Sequence, residues 1–238
     1  TRFGLKTDWS IRPGCPDDAP IYDVTFQATG MQEDPLVRFI ETRCVQRRPM
    51  RTTPLSAMQK ETLATSVGDF YTLQFLESFA DRLAVARLLW NNAHLRLTCP
   101  EAFHVHREVI EWNARFSNDR IPDQALGVDA MTTRIMKWVM QSWERVTFMN
   151  RYLGGTIAPR VQMDFIPALA CASHILIRPE RAPTSVEDYV HAGVALQRLW
   201  LTASSLGLHL QPEMTPLIFR WYVSAERPIS RLAKINEA

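Results

Sequence analysis

The chain is poor in the residues that build the common nucleotide and redox motifs. It has nine glycines and four cysteines in 238 residues. No dinucleotide Gly-x-Gly-x-x-Gly fingerprint, Walker A loop, Gly-x-Ser-x-Gly elbow or Cys–His signature occurs, which leaves nucleotide hydrolysis and nucleophilic hydrolysis without support. Cys15, Cys44, Cys99 and Cys171 are scattered with no Cys-x-x-Cys spacing. That excludes the usual zinc and thioredoxin-type motifs and suits a reducing, cytoplasmic setting. No run approaches the ~18–20 uncharged apolar residues of a spanning helix, and no basic-then-apolar order marks a secretory signal, so no membrane partner is expected. Charge of one sign is also lacking. Lys and Arg total 27 against 25 acids, and a net +2 is too small for the broad basic face that non-specific nucleic-acid binding needs.

What is present is an ordinary globular composition, 46% apolar and 22% charged. At this length roughly 70–75% of the unfolded chain's surface can be buried, so folding needs no disulfide or structural metal. His104 and His106 lie two apart in a helical segment and point to different sides, and the i,i+4 pair His104 and Glu108 supplies only two ligands. No metal is expected, and chemistry is expected to belong to a bound cofactor.

Residues 1–34 are rich in Pro, Gly and Asp and read as a lead-in or linker with one strand, Ile21 to Phe26. Helical spacing follows from Asp34-Pro35, with Leu36, Phe39, Ile40 and Cys44 as its stripe, and predicts a first helix to about Arg47. Ser56 opens a second helix, and Tyr71 to Glu77 alternates as a strand. Three more helices are expected, Asp81 to about Leu97, Pro100 to about Phe116 and one long helix from Ala130 to about Leu153. Ala170 to Ile177 reads as a buried strand. Thr184 and Glu187 supply a capping box for a helix from Ser185 to Leu206, which ends at Gly207. The expected class is α+β with helices dominant.

Two basic clusters stand out. Arg47, Arg48 and Arg51 place three guanidinium groups in five residues, and the planar fork suits a phosphate or other anion. A solvated cluster over helix C-terminal carbonyls is the plainer alternative. Arg227 and Arg231 flank Pro228-Ile229-Ser230, where a hydroxyl adds a donor. The seven tryptophans and the apolar Met131–Leu153 segment fit either a core or a large interface.

Taken in order, these segments resemble the FMN-dependent nitroreductase superfamily. Arg47-Arg48-Pro49-Met50-Arg51 looks like its Arg-Arg-Ser-x-Arg motif. Tyr189 to Leu208, with its Leu-Gly-Leu exit, resembles its late helix, and Pro228-Ile229-Ser230-Arg231-Leu232 resembles its closing Pro-x-Ser-Arg-Leu. The likeness spans residues 35–238. Glu108 to Trp112, Asp119 to Pro122 and Leu126-Gly127 are similar to a branch with an enlarged middle region. Some relatives of that branch are fused behind an adenylating domain of the ubiquitin-activating type, and the Met-less start suits the C-terminal half of such a longer chain.

The resemblance implies a central mixed or antiparallel sheet flanked by helices, in a homodimer with FMN at the interface. Arg47 would lie near the flavin, Arg51 and Arg231 at its phosphate, with Arg48, Pro212 and Ser230 completing the cofactor site. It implies hydride transfer from NAD(P)H to flavin and then two-electron reduction of a small-molecule acceptor, with no acid–base dyad. Two departures stand beside it. Pro49 replaces the hydroxyl residue between the arginines and removes a backbone N–H, and Ser66 to Thr72 lacks the Asn expected after the second helix. They motivate the alternatives, a non-catalytic domain of this fold that dimerises or partners an adenylating domain, and a flavin-storage protein.

Overall fold

The computed structural model describes residues 2–237. The protein is α+β, with helices dominant and its strands gathered in three two-stranded sheets. The single central sheet that was expected is therefore not formed among the described residues. The chain clusters into two compact units. One holds the chain up to Val45 together with Leu55–Gln74 and Ile175–Leu210. The other holds Gln46–Pro54, Phe75–His174 and the chain from Gln211 onward.

In the first unit β1 (Leu5–Ile11) and β2 (Tyr22–Ala28) form an antiparallel hairpin, with Leu5 opposite Ala28 and Ile11 opposite Tyr22. The expected lead-in thus holds two strands, and its Pro- and Gly-rich stretch is the loop between them. β1 alternates Leu5, Thr7, Trp9 and Ile11 against Lys6, Asp8 and Ser10, the period of a one-sided strand. Trp9 packs edge-on to Tyr22 with ring centroids 5.8 Å apart.

The helix expected from Pro35 to Arg47 is a correction: only a 3-10 turn, Val37–Phe39, forms there. Val37, Ile40, Thr42 and Val45 are β-branched and lose rotamer freedom in a helix. The segment is held instead by side chains. Asp34 accepts from the Leu36 amide at 2.9 Å and pairs with Arg198 at 3.1 Å, while the Arg43 guanidinium lies 4.2 Å from the Trp200 ring centroid.

Helix α1 (Ala57–Ser66) begins at a capping box in which Ser56 and Gln59 satisfy each other's backbone amides. Strand β3 (Tyr71–Leu76) follows. It pairs with a later strand, His174–Pro179, which takes the label β6 after β4 and β5 below, and the Glu180 amide donates to the Phe70 carbonyl at 3.0 Å. The buried strand expected from Ala170 thus begins only at His174, because Ile166–Leu169 is helical and Ala170–Ser173 is a bend.

The second unit is organised around α2 (Phe79–Thr98), capped by Ser78 and Asp81. Its Ala86 and Leu89 pack with Ala168, and Val85, Phe165 and Leu169 close the cluster. Next comes α3 (Pro100–Val109), with Pro100 at the first turn, where a missing N–H costs nothing. It stops well short of Phe116 because Ile110 leaves it for β4 (Ile110–Glu111), paired in parallel with β5 (Ile121–Pro122).

The expected long helix is broken into α4 (Ala130–Val139) and α5 (Trp143–Tyr152). Ser142 caps α5 by accepting from the Arg145 amide, and the Arg145 guanidinium reaches back to the Trp138 carbonyl at 3.0 Å and to Gln141. That local alternative competes with helix continuation. Then follow α6 (Ile157–Pro159), a π-helical stretch Arg160–Phe165 and α7 (Ile166–Leu169), none of them expected.

Helix α8 (Val186–Ser205) belongs to the first unit. Its capping box is Ser185 with Asp188, one residue beyond the expected Thr184 and Glu187. It packs on α1, and Leu63 and Leu199, 1% and 2% exposed, are the largest fully buried side chains. Gly207, at φ +70°, closes α8 as expected, and the Leu208 amide donates to the Ala203 carbonyl at 2.8 Å. Two further helices complete the second unit, α9 (Thr215–Ser224) and α10 (Ala233–Asn236). No helix among the described residues is long and apolar enough to cross a membrane.

Candidate functional site

All six residues expected at the site lie in the second unit. Arg47 is half-buried in an extended segment. The Met50 amide holds that segment by donating to the Ala170 carbonyl at 2.7 Å, and the Arg48 amide donates to the Gln46 side chain at 3.0 Å. The Arg47 guanidinium donates to the Ala125 carbonyl at 3.4 Å. Gly127 has φ +88°, and a Cβ there would stand 3.1 Å from the Arg47 carbonyl oxygen. Only glycine allows both that conformation and that approach, so the turn following β5 seats Arg47.

A charged cluster surrounds this position. Arg96 on α2 donates to both carboxylate oxygens of Asp164 at 3.2 Å, and Asp164 is carried by the π-helical stretch. Such π turns recur at functional sites. Arg160 lies on the Trp90 ring at 3.7 Å and donates to the Trp90 carbonyl at 2.9 Å. Burial pushes the Asp164 carboxyl up to about 6, outweighing the opposing pull of Arg96 and Arg160.

Glu213, next to Pro212, is exposed as a residue, but its carboxyl is crowded by the protein groups around it. Its carboxyl is still pushed up to about 7, first by desolvation and then by the negative charge of Asp164, while Arg96, a Gln211 hydrogen bond and Arg47 oppose the rise. Arg47 in turn has its pKa lowered by burial and raised by Glu213. Burial and the charge of Arg96 pull His106 down to about 4. Titrating groups with opposed, environment-driven shifts are a recognised mark of a functional site.

The segment Pro228 to Leu232 forms a second, separate constellation. Ser230, 4% exposed, donates its hydroxyl to Glu101 at 2.8 Å, the Arg231 amide donates to the other Glu101 oxygen at 3.0 Å, and the Cys99 thiol donates at 3.1 Å. The Asn236 side chain accepts from the Ile229 and Ser230 amides and returns a bond to the Ser230 carbonyl. The loop thus holds the Glu101 carboxylate through one backbone amide, one hydroxyl and one thiol, and the Arg231 amide above all holds that carboxyl down at about 2.

The structure therefore brings Arg47 into electrostatic reach of the loop at Pro212, and gathers Ser230 and Arg231 round Glu101. The guanidinium groups of Arg48, Arg51 and Arg231 are exposed and bond to no described residue, so no contact joins them to either cluster. Asp164, Arg96, Arg160, Glu213 and Glu101 were not singled out in the sequence. For Glu101 a signal existed, an acid in the first turn behind Pro100. For Asp164 there was none, because π-helical spacing matches neither the helical nor the strand period. Comparison of the chain with protein-family models, with curated proteins and with solved structures finds no match.

Proposed function

We propose that the chain is an FMN-dependent oxidoreductase of nitroreductase type, taking hydride from NAD(P)H and delivering two electrons to a small-molecule acceptor. The observation that carries this reading is Arg47. A half-buried guanidinium is seated by Ala125 and Gly127, inside a motif whose Arg48 and Arg51 keep their donors uncommitted. Such a set fits an anionic, phosphate-bearing cofactor. Bound FMN would supply the redox chemistry. Arg47 would stabilise negative charge on its ring, and Arg51 and Arg231 would neutralise the phosphate.

Ser230 fits this role only in part, because its hydroxyl and the Arg231 amide are committed to Glu101. Glu101 must turn away before that loop can donate to a phosphate, or the phosphate contacts the Arg231 guanidinium alone.

A homodimer belongs to the same reading. Helix α9 buries none of its residues and leaves Leu217, Ile218, Trp221 and Val223 exposed, a concentration of apolar surface that suits an interface with a second copy. Four free cysteines agree with a cytoplasmic setting.

The commitment of the Ser230 loop to Glu101 and the presence of Pro49 favour a second reading, a non-catalytic domain of the same fold that dimerises or partners an adenylating domain in a longer chain. An absorbance spectrum taken after FMN addition and desalting separates the two. Retained flavin bands, with NADH or NADPH oxidation in the presence of a quinone, support the oxidoreductase. A colourless protein after reconstitution overturns it in favour of the second reading.

A further inference from the structure

We propose that a cleft bounded by α3, the residue after β4 and the end of α4 binds a small planar aromatic anion. The cleft has a volume of about 240 Å³ and is lined by Arg107, Trp112, Lys137, Met140 and Gln141, all in the second unit. Every polar side chain in that lining offers a donor. Arg107, Lys137 and the Trp112 indole N–H make no hydrogen bond or ion pair with any described residue. The Gln141 carbonyl oxygen accepts from Arg145, which leaves its amide NH2 to donate. No carboxylate lines the cleft.

Two cations converging on one concavity repel each other, and the repulsion needs an explanation. Arg107 and Lys137 each lie in the last turn of a helix, α3 and α4. A helix C-terminus presents about half a negative charge. It therefore steadies each cation without neutralising it, and the last-turn carbonyls of His106, Met136 and Trp138 already accept from cap amides. The surplus positive charge, set among further donors with no carboxylate in the lining, selects an anion.

The remaining walls select its shape. Trp112 is half-buried and Met140 presents a polarizable thioether, surfaces that favour a flat ring against them. The volume is below the ~300–1,000 Å³ of drug-sized pockets, which restricts the ligand to a compact one. An aromatic carboxylate and a purine monophosphate share this chemistry. None of the five lining residues belongs to the flavin reading, so the two proposals stand or fall apart.

The test is calorimetric titration with AMP, benzoate and inorganic phosphate. The proteins compared are the wild type, Arg107→Gln/Lys137→Gln, Trp112→Leu and Arg47→Ala, each first shown to melt like the wild type. At least one aromatic anion is expected to bind saturably, more tightly than phosphate, with the double variant weakened about tenfold or more and Arg47→Ala unchanged. Binding of AMP assigns a phosphate monoester, and binding of benzoate a carboxylate. The proposal is overturned by any of three results: no saturable binding of either aromatic anion, affinity unchanged in both the double variant and Trp112→Leu, or loss of binding in Arg47→Ala.

Discussion

The Ser230 hydroxyl donates to the Glu101 carboxylate at 2.8 Å, across 129 residues of chain. With the Arg231 amide and the Cys99 thiol on the same carboxylate, one side chain at the start of α3 ties down the chain's closing loop. Glu101→Ala removes three donors' common partner and is expected to cost about 1.5–3 kcal/mol, the range for hydrogen bonds to a charged group. Urea unfolding at neutral pH measures it. The folded carboxyl, at about 2 against an ordinary 4.5, stabilises above the ordinary value and loses that contribution as pH falls toward 2. The difference between wild type and variant should therefore shrink on acidification, and a difference independent of pH would contradict this account.

Glu213 carries the opposite sign. Its carboxyl is raised from 4.5 to about 7, so the folded state holds the proton more tightly than the unfolded chain. Its contribution favours folding at low pH and is lost as pH rises through about 7. Asp164, raised to about 6, acts in the same direction, whereas His106, lowered to about 4, makes stability rise with pH between about 4 and 6.5. Glu213→Gln should flatten the decline in stability between pH 4.5 and 7, read as the variant-minus-wild-type melting temperature across a pH series.

Gly127 and Arg47 form a coupled pair. Gly127→Ala forces a side chain onto a backbone at φ +88° and into the Arg47 carbonyl. The strain is expected to cost about 1–3 kcal/mol of stability. If Arg47 holds flavin, Arg47→Ala should weaken FMN by about 1.5–3 kcal/mol and Gly127→Ala should weaken it in the same direction by displacing that arginine. Quenching of flavin fluorescence on titration reads both, and equal affinity in all three proteins would detach the motif from flavin.

Leu63 is 1% exposed where α1 packs on α8. Leu63→Ala should destabilise by about 2–5 kcal/mol through lost burial and the cavity left behind. Thermal unfolding checks it, and a loss under 1 kcal/mol would show that the site collapses on the smaller residue.

The starts of α1 and α8 were legible to within a residue because a helix start is a local event, whereas α2 begins at Phe79 behind a Ser78 cap, two residues before the expected Asp81. Ser56 with Gln59, Ser78 with Asp81 and Ser185 with Asp188 each close within three residues. The one-residue error at α8 arose because Thr184 and Ser185 both bond to Asp188. The segment after Pro35 and the break at Met140 to Ser142 were misread for a related reason. Their apolar spacing is helical, but β-branched crowding in one and the back-reaching Arg145 in the other decide the local conformation.

The sequence by itself determined the helix-dominated α+β class, the Ser56 start of α1, the Gly207 stop and the two basic clusters, because each rests on residues within a turn or two of one another. Only the tertiary structure decided that Glu101 fills the Ser230 loop and that Asp164 pairs with Arg96 across 68 residues. It also decided that Arg107 and Lys137 line one cleft in which no carboxylate faces them. Burial and charge act through space, so neither the desolvation that raises Asp164 and Glu213 nor the convergence of two cations leaves a periodic trace along the chain.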